Sequence, residues 1–313
     1  MISFLLVDEL HESIGPLLTQ AGFAYSYQPH CTRADILAQI GAYQGIIIRS
    51  KTSLDAEFFE HAAQLRVIAR AGAGLDQIDL GEVEKRSIAL VNTPEGNSDA
   101  VGEHALAMLL ALFNNITQAN QEVKNFIWQR EANRGIELMG KTVGLIGCGH
   151  MGSAFAKRLS AVGCEVLAYD KYKDSLDHSY ARLCTLEELK AKADVLSLHV
   201  PLTLETYQMV DGAFLQSFSK NIYLINTARG EVVKTEDLPA LLNSGKLQGM
   251  ALDVLENEKM QKLSDAQRSL YENLFSRSNT LFTPHVAGWT HESYRKINEV
   301  MVEKIKKLHL TIE

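Results

Sequence analysis

Short runs of β-branched and aliphatic residues punctuate this chain, separated by longer helical stretches: FLLV (4–7), GIIIR (45–49), RVIAR (66–70), IALV (88–91), TVGLI (142–146), EVLAY (165–169), DVLSL (194–198), IYLIN (222–226), GMALD (249–253) and TLFT (280–283). Runs this apolar have no polar face to give to water, so each strand must be covered on both sides. Strands joined by helical crossovers and covered in that way are parallel, and the fold class predicted is α/β. No fixed period or low-complexity tract appears, which excludes solenoids. The 313 residues are about twice a common single-domain length of roughly 150, so two cores are expected.

The composition, 46% hydrophobic and 22% charged with 6 prolines, is that of a packed chain. A formal charge of -7 provides no basic field for nucleic acid or anionic lipid, and no apolar run approaches the roughly 18 residues of a membrane span. Neither partner is expected. Cys31, Cys148, Cys164 and Cys184 form no CxxC pair and no metal-ligand spacing with histidine, so they read as buried thiols in a reducing compartment, with no metal. The start, MISFLLVDEL, lacks a basic n-region and turns acidic at Asp8 and Glu9, and a cytoplasmic protein is expected.

Ser98 is a suitable N-cap for a helix running to about Thr117, apolar nearly all round and therefore buried all round. The last twenty residues, with Tyr294, Ile297, Met301, Ile305 and Leu308 at helical spacing, predict a second long helix, half exposed.

The stretch TVGLIGCGHMGSAFAKRL places Gly147, Gly149 and Gly152 as GxGxxG after a strand and at the mouth of a helix. The first glycine permits the tight turn, the second lets backbone approach a pyrophosphate, and the third lets helix and strand pack closely. The N–H groups of His150 and Met151 then face the anion at the positive end of the helix dipole. Asp170, eighteen residues past Gly152, ends the next strand, where a carboxylate accepts ribose hydroxyls and repels a 2′-phosphate. NAD is thus favoured over NADP. The plain alternative is a glycine turn beside a surface aspartate.

Ligands of a doubly wound sheet lie outside the carboxyl ends of its strands. The residues just after the strands are His199 with Pro201, Thr227 with Arg229, Asp253 followed by Glu256 and Glu258, and His285 with Gly288. An arginine, carboxylates and a histidine are the groups needed for hydride chemistry at a carbon that bears oxygen beside a carboxylate. His285 is the candidate acid/base, because an imidazole titrates near neutrality. Glu258 is suited to fix its tautomer, and Arg229 to bind a carboxylate through two N–H groups. Each has another reading: His285 as a loop cap, and Arg229 with Glu258 as an interdomain salt bridge. His199, beside Val200 and Pro201, reads as a wall of the cofactor groove.

The chain resembles the D-2-hydroxyacid dehydrogenase family over essentially its whole length, through RAGAGLDQIDL (70–80), NTPEGNS (92–98), VGLIGCGHMGSAFA (143–156), HVPLT (199–203), NTARGEVV (226–233), ALDVLENE (251–258) and TPHVAGWT (283–290). The resemblance implies a catalytic triad of Arg229, Glu258 and His285. It implies that Asp253 holds the nicotinamide carboxamide, that Thr206 and Thr227 line the cofactor groove, and that the backbone of Ala73 and Gly74 receives the substrate carboxylate. It implies a Rossmann-type NAD-binding domain, 97–285, inserted in a flavodoxin-like α/β substrate domain, 1–96 plus 286–313. Helices at about 98–118 and 286–310 would be the crossings, and the first would serve a twofold homodimer. Lys259 stands where the family usually has proline, so the loop 256–266 is expected to differ in shape or mobility.

Within the family the nearest resemblance is to the phosphoglycerate dehydrogenase branch, through GIIIRS (45–50), ARAGAGLDQID (69–79) and Trp128-Gln129-Arg130. It implies a small-molecule substrate, 3-phospho-D-glycerate, oxidised as the entry step to serine, with Arg49, Arg70 and Arg130 near its phosphate, Arg130 from across a dimer. Otherwise Arg49 and Arg70 solvate a sheet edge and Arg130 serves an interface. Feedback control through the regulatory domain that longer members carry is not expected. The alternatives are a glyoxylate or hydroxypyruvate reductase and, from another class, an NAD-sensing corepressor-like binding protein, against which the intact Arg, Glu and His argue.

Overall fold

The computed structural model describes residues 2–308, which form two compact units. One takes the residues through Ser98 together with those from Trp289 onward; the other is Asp99–Gly288. The expected boundaries after 96 and 285 therefore move to follow Ser98 and Gly288. Val286 and Ala287 stay with the second unit because their N–H groups donate to the Asp253 carboxylate.

In the first unit β1 (Ser3–Leu6), β2 (Ala24–Tyr27), β3 (Gly45–Ile48), β4 (Val67–Arg70) and β5 (Ala89–Asn92) form a parallel sheet in the order β2-β1-β3-β4-β5. This is the flavodoxin-like order. On one face Phe4, Leu6, Ile47 and Val67 pack with Ile297, Met301, Val302 and Ile305 of the helix His291–Lys307. On the other, Leu5, Ile46, Ile48 and Ile68 pack with Phe58, Phe59 and Val83. Each fully buried aliphatic side chain here is worth about 1.5–3 kcal/mol of transfer free energy. The sequence pattern missed β2, whose AYSY alternates half-buried with exposed residues at the sheet edge and so carries no apolar run.

The second unit holds β6 (Thr142–Ile146), β7 (Glu165–Tyr169), β8 (Arg182–Leu183), β9 (Val195–Leu198), β10 (Ile222–Asn226), β11 (Leu247–Leu252) and β12 (Thr280–Phe282), ordered β12-β11-β10-β9-β6-β7-β8 and parallel throughout. Strand order reverses at β6, which lies between β7 and β9, and this is the switch point where such sheets bind ligands. Val143, Leu145, Val166 and Ile225 pack on one face with Phe155, Leu159, Met108 and Leu109.

The helix expected from Ser98 to Thr117 runs instead from Pro94 to Phe113. Proline opens a helix without loss, since the first turn has no internal acceptor for its N–H. Asn115 then adopts φ 49° and breaks the run before a separate helix, Ile116–Lys124, none of whose residues is buried. The second crossing is not helical: the C-terminal helix begins at His291, capped by the Thr290 hydroxyl, which accepts from Ser293 N. It lies within the first unit, and the part expected beyond Leu308 falls outside the described residues. Only Cys148 is fully buried; Cys31, Cys164 and Cys184 are half-buried, and burial pushes all four thiols up, Cys164 to about 11. Among the described residues no helix is long and apolar enough to cross a membrane, and no cluster of ligating side chains is placed to hold a metal.

Candidate active site

Because the strands of the second unit run one way, the residues following them share a rim. In spatial order it reads His285 beyond β12, Asp253 after β11, Thr227 after β10, His199 after β9, the glycine loop after β6, and Asp170 after β7.

The glycine loop joins β6 to the helix His150–Ala161, with Gly149 as N-cap. Gly147 has φ 88°, and a Cβ there would meet the His199 carbonyl oxygen at 2.4 Å; a Cβ on Gly152 would meet the Gly147 oxygen at 2.3 Å. Over Gly149 there is only open space. The first turn of the helix, with His150 and Met151, aims its N–H dipoles at this space, as a pyrophosphate requires. Two buried polar atoms on the same rim, Thr227 Oγ1 and His199 Nδ1, have no hydrogen-bond partner among the described residues, and a cofactor's polar groups fit such atoms. His199 Nε2 bonds Ser197 Oγ at 2.9 Å, and the protein around its ring pushes its pKa down to about 4, so it stays neutral.

Asp170 ties strand to loop: Oδ2 accepts from Cys148 N at 2.9 Å and Oδ1 from Tyr172 N at 3.0 Å, leaving each oxygen one lone pair for a ribose. Thr206 Oγ1 donates to the Pro201 carbonyl at 2.7 Å, so its hydroxyl hydrogen is spent closing its own loop.

His285 Nδ1 lies 2.9 and 3.1 Å from the two carboxylate oxygens of Glu258. This hydrogen bond, opposed by partial burial, raises the His285 pKa above the usual imidazole range, while the Arg229 charge works against it. The backbone at His285 is left-handed, φ 54°, a conformation that costs a non-glycine residue about 1–2 kcal/mol. Asp253 holds it there. His285 N donates to the Asp253 carbonyl at 2.8 Å, and the Asp253 carboxylate accepts from Val286 N, Ala287 N and Thr283 Oγ1 at 2.9, 2.9 and 2.6 Å. Three of about four acceptor positions on the expected carboxamide ligand are thus already used. Arg229 leaves β10 on a turn organised by Asn226, whose side chain accepts from Ala228 N and donates to the Arg229 carbonyl. Lys259 donates its backbone N–H to Asn257 Oδ1 at 3.0 Å, a bond that proline cannot make, and this gives the loop after Glu258 its local turn.

In the first unit Arg49 follows β3, and its guanidinium stacks 3.6 Å from the ring centroid of Trp289 and 5.1 Å from that of Tyr294. Asp8, buried beneath, accepts from the Arg49 backbone N–H and from Thr52 Oγ1. Among the described residues no carboxylate lies within ion-pair distance of the guanidinium, and desolvation depresses its pKa. Arg70 is turned onto its own loop: Nη1 donates to the Ala71 carbonyl at 3.2 Å and lies over Gly72. That loop is held by Thr93, whose Oγ1 accepts from Gly72 N, and by Asn92, which donates to the Ala73 carbonyl. Neither residue was singled out in the sequence, although their place as a polar pair between a strand end and Pro94 is a usable signal. Arg130 is exposed and belongs to the second unit.

The chain belongs to the D-2-hydroxyacid dehydrogenase family: residues 106–287 match the family described as D-isomer specific 2-hydroxyacid dehydrogenase, NAD binding domain. It is 33% identical to a D-3-phosphoglycerate dehydrogenase of Archaeoglobus fulgidus over 96% of its length, but spans only 56% of that relative. It is 34% identical to a hydroxypyruvate reductase of Thermotoga maritima over 89% of both chains. Among solved structures, D-lactate dehydrogenase from Aquifex aeolicus, complexed with NAD and lactic acid, superposes with a TM-score of 0.81 at 28% identity, covering 98% of this chain and 95% of that one.

Proposed function

We propose that this protein interconverts a D-2-hydroxy acid and its 2-keto acid with NAD, and that the pair is 3-phospho-D-glycerate and 3-phosphooxypyruvate. NAD, when bound, accepts the hydride from C2. His285 Nε2, the nitrogen away from Glu258, takes the hydroxyl proton, and Glu258 stabilises the imidazolium that results. Arg229 and the backbone N–H groups of Ala73 and Gly74 hold the carboxylate; among the described residues those two N–H groups have no acceptor. Gly147, Gly149 and Gly152 with His150 and Met151 cradle the pyrophosphate, Asp170 takes the adenosine ribose, and Thr206, Thr227, His199, Pro201 and Gly288 line the groove.

The observation that carries the phosphate reading is Arg49. A partly desolvated guanidinium that stacks on two aromatic rings, with Asp8 and Glu9 nearby but no direct ion pair among the described residues, gains from an anion that joins it. The same reading gives Arg70, and Arg130 from across a dimer, a share in the phosphate's positive surroundings. A second reading, reduction of hydroxypyruvate or glyoxylate, is favoured by the Thermotoga maritima reductase, 89% of whose own length is matched, against 56% for the Archaeoglobus fulgidus enzyme. Kinetics on both substrates separate the two. The phosphate reading expects kcat/KM for 3-phosphooxypyruvate to exceed that for hydroxypyruvate at least tenfold, and Arg49→Met to erase the difference; equal values in the unaltered enzyme refute it.

The same proposal includes a homodimer. Ile116, Val123, Phe126 and Trp128 are each exposed on or after the helix Ile116–Lys124, and a second copy would cover them. Phe126→Asp with Trp128→Glu is expected to give a monomer by light scattering, and an unchanged mass contradicts it.

A further inference from the structure

His104 lies on the helix Pro94–Phe113, in the part belonging to the second unit, and the chemistry above does not use it. Its Nε2 is 3.1 Å from Thr283 Oγ1 and 3.6 Å from Asp253 Oδ1. Thr283 has one hydroxyl hydrogen. Asp253 Oδ1, an acceptor only 2.6 Å away, takes it in preference to Met108 Sδ at 3.9 Å. Thr283 Oγ1 is then the acceptor toward His104, so the imidazole carries its proton on Nε2. Direction is thereby fixed along the chain: His104 Nε2–H donates to Thr283, and Thr283 donates to Asp253.

The chain ends on the carboxylate that receives Val286 N and Ala287 N, and the Asp253 carbonyl receives His285 N. Between those anchors sits His285 in its left-handed conformation. A backbone of that kind persists only where its surroundings over-determine it. We propose that His104 is a positioning residue for His285: through Thr283 it fixes the rotamer of Asp253, and Asp253 fixes the strained backbone that aims the imidazole. The inference rests on the reading of His285 as the acid/base. His104 acts through Thr283 and Asp253.

The test measures kcat, KM and the NADH dissociation constant for His104→Phe, His104→Gln, Thr283→Val and the double variant His104→Phe/Thr283→Val, with His285→Ala alongside. Misplacing a reacting group by about 1 Å costs up to about 100-fold, so His104→Phe is expected to lower kcat about 10- to 100-fold with melting cooperativity unchanged. His104→Gln keeps an Nε2 donor and is expected to restore most of the loss. The double variant should be no worse than the poorer single one, because both cut one chain. Thr283→Val keeps the side-chain volume and carries the same test if His104→Phe does not fold. The proposal is overturned if His104→Phe keeps kcat within about twofold, if His104→Gln is as impaired as His104→Phe, or if the losses multiply in the double variant. Should His285→Ala itself keep its kcat, the acid/base reading fails; should it lose kcat while His104→Phe does not, only the positioning role fails.

Discussion

Replacing Glu258 by Gln removes the charge that favours protonated His285 and keeps the side-chain shape. Two unit charges about 4 Å apart attract by about 1 kcal/mol in water and about 4 kcal/mol at an effective dielectric of 20. The His285 and Glu258 side chains are 45% and 47% exposed, so solvent screens the pair and the lower end applies. Loss of that attraction lowers the His285 pKa from its raised position. Reduction of a keto acid needs His285 protonated, so its kcat/KM declines as pH rises through the His285 pKa, and E258Q moves that decline to lower pH. Oxidation needs the neutral ring, and its rise with pH moves the same way. Stability follows the same sign: the raised pKa stabilises the fold below the ordinary imidazole value of about 6.5, and the gain is lost as pH rises through the folded value. The assay is a pH profile of NADH oxidation from pH 5 to 9 with both enzymes. An inflection that does not move on E258Q refutes the coupling of the pair.

Gly147→Ala sets a Cβ at φ 88° and 2.4 Å from a carbonyl oxygen, and is expected to cost at least about 2 kcal/mol by urea melting and to weaken NADH binding in a fluorescence titration. Asp170→Ser should narrow the preference for NADH over NADPH; Kd values unchanged for both would remove Asp170 from the cofactor site. Thr290→Ala loses the hydroxyl that accepts from Ser293 N at 3.0 Å, and should lower Tm by about 2–4 °C for about 1 kcal/mol, with kcat unchanged.

The central strands and the glycine loop were legible because burial on both faces demands unbroken apolar runs and the turn demands glycine. Edges are not bound by either demand. β2 escaped notice because Tyr25 and Tyr27 alternate with half-buried residues, and β8 because two residues carry no pattern. The helix start was misplaced because Ser98 is a good cap in isolation, whereas Pro94 opens the helix one turn earlier. His285 and Glu258 could be picked by position after strands, but their approach to about 3 Å depends on the loop from 253 to 258, which no periodicity encodes. His104 shares the four-residue spacing of Met108 and Leu112 and reads as one more helix residue, until Thr283 and Asp253 appear beside it. The arginines were legible as charges only: what each side chain stacks on, Trp289 for Arg49 and its own loop for Arg70, is a tertiary fact.

The most direct test of the account is a single-turnover measurement with enzyme-bound NADH and a 2-keto acid, comparing the unaltered chain with His285→Ala. The account predicts that the first forms the D-2-hydroxy acid and that the variant binds NADH equally well but reacts about 10²- to 10⁴-fold more slowly. A variant that reacts at the unaltered rate, or a product of L configuration, contradicts it.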